Sequence, residues 1–165
     1  MFDASDIELA SLPDGIDGNI RALVDAWYEA LGGCDANEVP SRSVLTAERL
    51  GRWRDHISIY EYQPEKDDFL VRLSAPSIVE ASGESFQGTT PRAIDLKYGT
   101  CLMPALRKTL EIKRPTFHHI SVDGPNGERQ YWIRILLPAQ TSDHFQAPVY
   151  QILGARFACV AMHAM

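Results

Sequence analysis

The chain has 165 residues, 45% of them hydrophobic and 23% charged, with a formal net charge of -6, the balance of one globular domain. The acidity argues against nucleic acid as a partner, because a phosphate backbone is met by a basic face. No apolar run approaches the roughly 20 residues needed to span a bilayer, so no membrane partner is expected.

The opening, MFDASDIELASLPDG, is acidic and has no positive segment followed by an apolar core, which is unlike a signal peptide. A cytoplasmic location is the expectation. Residues 1–16 read as a flexible leader, 17–54 as an N-terminal helical extension and 55–165 as the main domain. The three cysteines, Cys34, Cys101 and Cys159, are widely spaced, with no CxxC or CxxH pair. They read as reduced thiols, not as a zinc site or a disulfide framework.

From Asp17 onward, Ile20, Leu23, Val24, Trp27, Tyr28 and Leu31 recur at helical spacing on one stripe. Asp17 or Asn19 can cap this helix, and Gly32-Gly33 stops it. So bulky a stripe must cover either the back of a sheet or its own copy in a second subunit. Val24, Trp27, Tyr28 and Leu31 are therefore the candidate interface of a homodimer.

CDANEVPSRS reads as a linker, after which Thr46 can cap a short helix running to Trp53. His56–Tyr62 and Phe69–Leu73 are strands, joined through the polar turn QPEKDD into an antiparallel hairpin. Pro76 disfavours further pairing, since it has no amide to donate. Ile78, Val79 and Ala81 form a helical turn before Gly83, and Thr90-Pro91 opens another toward Leu96. Cys101–Lys113 carries Leu102, Ala105, Leu106 and Leu110 at helical spacing, with Pro104 tolerated in its first turn.

After Pro115 the pattern turns to strands: TFHHISV, then RQYWIRILLP, then VYQILGARFACVAM, separated by DGPNG and TSDHFQAP. On the second of these, Tyr131, Ile133, Ile135 and Leu137 share one face, while Trp132 and Leu136 alternate with them. Both faces of that strand should be covered. The expected fold is α+β: a five-stranded antiparallel sheet, roofed on one face by a helical crossover over residues 76–113 and backed on the other by the first helix. The crossover would wall off a cavity.

This order resembles a PAS domain, and in its residues it is similar to small stand-alone PAS-like proteins of alphaproteobacteria. The matching residues are Ala26-Trp27, Val39-Pro40-Ser41-Arg42, Phe69–Leu73, Ile78-Val79-Glu80, the Gly83…Gly88 loop, Arg114-Pro115 and the final meander, from about residue 20 to 160. Where such sequences often read RLxGT, this one reads Arg72-Leu-Ser-Ala75-Pro76. The resemblance implies a sensory or regulatory module, usually dimeric, whose central cavity holds a small molecule or whose surface meets a signalling partner protein. It implies no catalysis.

The candidate pocket lining is Ile59, Leu73, Leu106, His118, Ile133 and Ile135, the same residues an ordinary core would use. His118 and His119 point to opposite faces of a strand and cannot ligate one metal together. His118 shares parity with Ile120 and Val122, either as a pocket histidine or as one hydrogen-bonded at the sheet edge. Cys101–Lys113 contains no histidine to hold haem, and no Asn-Cys-Arg-Phe-Leu run for flavin is present. Any cofactor stays unknown, haem and flavin not being expected, and Cys101 is expected as a buried small residue. Arg134 is expected to face the first helix and pair with Asp25 or Glu29, and Arg72 to be similarly structural.

Neither a GxSxG elbow, an HExxH pair nor a P-loop occurs, so no enzyme is expected. Two alternatives stay open. One is an NTF2-like enzyme in which buried His118 works with Asp95 or Tyr131 as acid and base. The other is an adaptor with a filled core and no ligand.

Overall fold

The computed structural model describes residues 4–33, 38–141 and 147–159. Cys34 and the chain beyond Cys159 lie outside the described residues. In chain order the elements are β1 (Ala4–Leu9), α1 (Gly18–Leu31), β2 (Ile57–Gln63), β3 (Asp68–Leu73), α2 (Pro76–Ser82), α3 (Pro91–Tyr98), α4 (Leu102–Ile112), β4 (Thr116–Asp123), β5 (Arg129–Thr141) and β6 (Val149–Ala158). The strands join in one antiparallel sheet of order β1-β4-β5-β6-β2-β3.

The hairpin, the helical crossover and the three-stranded meander are all present, so the α+β arrangement expected from the sequence, an antiparallel sheet with a helical crossover on one face and the first helix on the other, is the arrangement found. The sheet has six strands, not five. The added one comes from the segment expected to be a flexible leader. Ala4–Leu9 lies antiparallel along β4, with Asp6 opposite Ile120 and Glu8 opposite His118, and so closes the backbone donors of what would otherwise be an open edge.

α1 begins where Asp17 accepts from the amide of Asn19 at 2.8 Å and ends where the Gly32 amide returns to the Tyr28 carbonyl. Its stripe lies on the sheet. Leu23 and Trp27 pack with Ile133, Ile135, Leu137, Leu153 and Ala155, which alternate outward along β5 and β6. The Trp27 indole N–H donates to the Pro138 carbonyl at 2.7 Å in the buried interior. Pro138 is tolerated in a long inner strand because β4 pairs with β5 only as far as Leu136. Beyond that point the Pro40–Arg42 segment takes over, exchanging backbone hydrogen bonds with Gln140.

The short helix expected from Thr46 to Trp53 is instead a turn followed by a 3-10 helix, Gly51–His56, while Thr46 accepts from the Arg49 amide. Trp53 is buried and donates to the Asn19 carbonyl at 2.9 Å, pinning this stretch to the start of α1.

On the opposite face of the sheet, Tyr60, Phe69, Val71, Leu136 and Ile152 pack under Leu102, Ala105 and Leu106 of α4. Ile120, Val122 and Trp132 form a second inner patch beside Ala81 and Tyr98. Among the described residues no helix is long and apolar enough to cross a membrane.

Candidate functional site

Two inner clusters separated along the sheet leave a gap between them. There, α2, α3 and the loop between them arch over the ends of β4, β5 and β6 and enclose a cavity of about 280 Å³. Ile120, Val122, Arg134 and Arg156 are among its floor residues, Ile78, Phe86, Ile94 and Tyr98 among those of its roof. Its rim carries an ion pair between Lys97 and Glu84, side chains 48% and 39% exposed.

Local sequence accounts for the roof. Pro76 and Pro91 each sit at a first helical position, where a missing amide costs nothing. Thr90 caps α3 by accepting from the Ala93 amide. Gly83 ends α2 with φ at 82°, a left-handed value that favours glycine. Asp95 then joins α3 to α4: its carboxylate accepts from the amides of Leu102 and Met103 at 2.7 and 2.8 Å and from the Thr100 hydroxyl at 2.7 Å.

The floor is dominated by charge. Strand register sets His118 opposite Arg134, and Arg134 opposite Arg156, in a row across β4, β5 and β6. Two guanidinium groups directly across a sheet repel. Arg134 is compensated, since Asp6 of β1 lies 2.9 Å away with both side chains almost fully buried, 6% and 4% exposed. The amide of Cys101 also donates to Asp6.

Arg156 has no such partner. Its guanidinium lies 4.1 Å above the Trp132 ring, a favourable cation–π placement, yet no carboxylate meets it among the described residues. Burial, with Arg134 adding to it, lowers its pKa to about 10. The Nε of Arg134, the Nε of Arg156, the Nε1 of Trp132 and the Nδ1 of His118 are all buried without a hydrogen-bond partner among the described residues. Burial likewise raises the Tyr60 hydroxyl above its usual value, against the pull of Arg134, and lowers His118 to about 4, with Arg134 contributing.

None of the six residues expected to line the pocket does so. Ile59, Ile133 and Ile135 belong to the opposite face, in the core under α1. Leu106 is packed beneath α4, and Leu73 is 40% exposed at the end of its strand. His118 is on the correct face but under the Asp6–Arg134 pair, outside the cavity wall.

Arg134 points away from α1 and pairs with Asp6, not with Asp25 or Glu29. Cys101, expected to be buried, is exposed. Arg72 is structural: it pairs with Glu61 at 2.6 Å on the surface. Of the expected dimer residues, Val24, Trp27 and Leu31 are buried against this chain's own sheet, while Tyr28 is 49% exposed. The acid–base pairings are not assembled: Tyr131 alternates to the other face from His118, and Asp95 is engaged in capping α4.

No histidine, cysteine or methionine is among the residues that line the cavity, so the donor set does not fit haem through those ligands. Among the described residues no group of three or more His, Cys, Asp or Glu could hold a metal ion. Arg156 lines the cavity and was not singled out from the sequence, whereas Arg134 lines it in place of facing the first helix. The alternation of Trp132 and Arg134 with an apolar set on β5 places those two together on one face.

No known family's pattern matches the chain, and no curated protein matches it. Among solved structures, the chain is similar to one titled "Structure of an RNA-binding Light-Oxygen-Voltage Receptor", with 12% sequence identity and a TM-score of 0.45. The match covers 96% of this chain and 39% of that one, so the chain spans about two fifths of that receptor's length. What the cavity can hold follows from its own residues.

Proposed function

We propose that this chain is a PAS-like sensory or regulatory domain that binds a small molecule between its sheet and the α2–α4 roof, without performing chemistry on it. The observation that carries this is the cavity itself. At about 280 Å³ it lies near the lower end of the roughly 300–1,000 Å³ of small-molecule sites. Its walls combine apolar side chains with a few convergent polar groups, the usual make-up of such sites. A filled-core adaptor would need no such void. An NTF2-like enzyme would need His118 to meet Asp95 or Tyr131, and it meets neither.

A signalling partner protein would then read the occupancy of the cavity. Any homodimer would use a surface other than the Val24, Trp27 and Leu31 stripe.

Native mass spectrometry of the purified chain, followed by denaturation, tests the binding reading. The expected result is a small mass carried by the folded protein and released on unfolding. A ligand at a hundred times its Kd would also stabilise the fold by about 2.7 kcal/mol, a clear rise in Tm. A chain that carries no extra mass and melts at one temperature across a small-molecule library is an adaptor, and the proposal fails.

A further inference from the structure

The charge balance inside the cavity narrows the ligand to a chemical class, an inference that rests on the cavity being a ligand site. Five charged side chains line it: Glu84, Lys97, Asp123, Arg134 and Arg156. Four of them are paired. Glu84 meets Lys97, Asp123 meets Arg129 at 3.0 Å, and Arg134 meets Asp6 at 2.9 Å. Arg156 alone among the five has no opposite charge beside it among the described residues, and it sits across the sheet from the like charge of Arg134.

A half-buried cation with no opposite charge, set across the sheet from another cation, is costly unless something anionic joins them. Arg134 and Arg156 both line the cavity, face each other across neighbouring strands, and carry guanidinium groups that only donate. The Arg156 guanidinium carbon lies 4.1 Å from the Trp132 ring centroid, and its donors form a planar fork. That is the geometry a planar carboxylate satisfies in bidentate fashion.

The surplus is one positive charge, which matches a monoanion. A phosphate monoester, at about -1.5 to -2, would leave negative charge buried against Ile78, Phe86, Ile120 and Val122. Those same walls need an apolar body. At about 30 Å³ for each water-sized group, the space takes roughly nine non-hydrogen atoms.

We propose that the cavity binds a small monocarboxylic acid, its carboxylate held at Arg156 beside Arg134 and its aliphatic or aromatic body packed against Ile78, Phe86, Ile120 and Val122.

Calorimetric titration of the whole chain with benzoate and octanoate, against benzamide, octanamide and benzyl phosphate, tests this. The acids are expected to bind at least tenfold more tightly than their amides, and benzoate more tightly than benzyl phosphate. Arg156→Met removes the charge but keeps an unbranched apolar side chain over Trp132. It should weaken both acids at least tenfold while leaving the amides unchanged. Arg156→Lys keeps the charge but not the fork, so it folds even where Arg156→Met does not, and should weaken the acids by a smaller factor.

Amides that bind the unaltered chain as tightly as the acids, tighter binding of the phosphate ester, or acids indifferent to both Arg156 variants would each overturn the carboxylate assignment while leaving a small-molecule receptor. If none of the probes binds, the assignment also fails. A neutral molecule found by native mass spectrometry would then preserve the receptor reading, and its absence would remove both.

Discussion

Asp6 and Arg134 lie 128 positions apart in sequence and form a buried pair that ties β1 to β5. Removing one partner of a buried pair strands the other charge, at a cost of about 3–5 kcal/mol. Asp6→Ala should therefore lower the unfolding free energy by about that much in urea titration. Asp6→Ala combined with Arg134→Met should recover most of the loss. If the double variant is no better than the single, the pair is not what holds β1.

His118 beside them stays neutral in the folded chain down to about pH 4, whereas an unfolded histidine takes its proton near 6.5. Between those values the unfolded state binds more protons, so stability falls as pH drops through that window and is fully present above it. Denaturant midpoints from pH 7 to pH 4 should fall more steeply for the natural chain than for His118→Gln. Gly154 is a third case. A Cβ there would lie 2.6 Å from the buried ring of Tyr60, so Gly154→Ala should cost on the order of 1–3 kcal/mol through overpacking.

These residue-level facts were partly legible. Alternation on β5 correctly separates Trp132 and Arg134 from Ile133 and Ile135. It does not say which set faces the roof. The apolar set looks like a pocket wall, but it packs under α1, and Arg134 of the mixed set lines the cavity. Asp6 could not be found as a partner, because nothing local connects residue 6 to residue 134.

Among the elements, the helices were the most readable because their stops and starts are chemical: Asp17, Gly32, Pro76, Gly83, Thr90 and Pro91 all sit at the boundaries the sequence suggests. β1 was missed. ASDIEL is short and acidic and gains strand structure only by pairing with β4, a tertiary effect that local propensity does not carry. The amphipathic stripe of α1 was seen, but a stripe alone cannot distinguish a sheet from a second subunit.

Its centre, Trp27, is fully buried. Trp27→Ala should lower stability by about 3–5 kcal/mol. Trp27→Phe, which keeps most of the area, still leaves the Pro138 carbonyl without its donor, costing about 1–3 kcal/mol. Urea denaturation checks both. Equal losses would show that the hydrogen bond, not the packing, dominates.

At the scale of the molecule, one sheet serves two cores. The face under α1 is apolar and closely packed and supplies stability. The other is divided by a hollow in which polar groups converge. Ala81 lines that hollow, and Ala81→Leu would add apolar atoms to it beside Ile120, Val122 and Trp132. Its Tm without ligand should stay level or rise, and the rise in Tm on adding benzoate or octanoate should disappear. A lowered Tm in the unliganded variant would mean the space is not available. The sheet-and-crossover order was legible because strand and helix periodicities alternate cleanly along the chain. The hollow was expected, but its polarity was not, since charge balance depends on which residues face each other.

The Asp95 brace has a mechanical side. One carboxylate grips the leading amides of the next helix, so α3 and α4 cannot part without stranding three donors together. They should ride as a single plate, their amides exchanging with deuterium in one shared event, and Asp95→Ala should split that event in two. The clasp of Lys97 on Glu84, half open to solvent, contributes little. A guest therefore has a weak latch to undo at the margin and a stiff panel everywhere else.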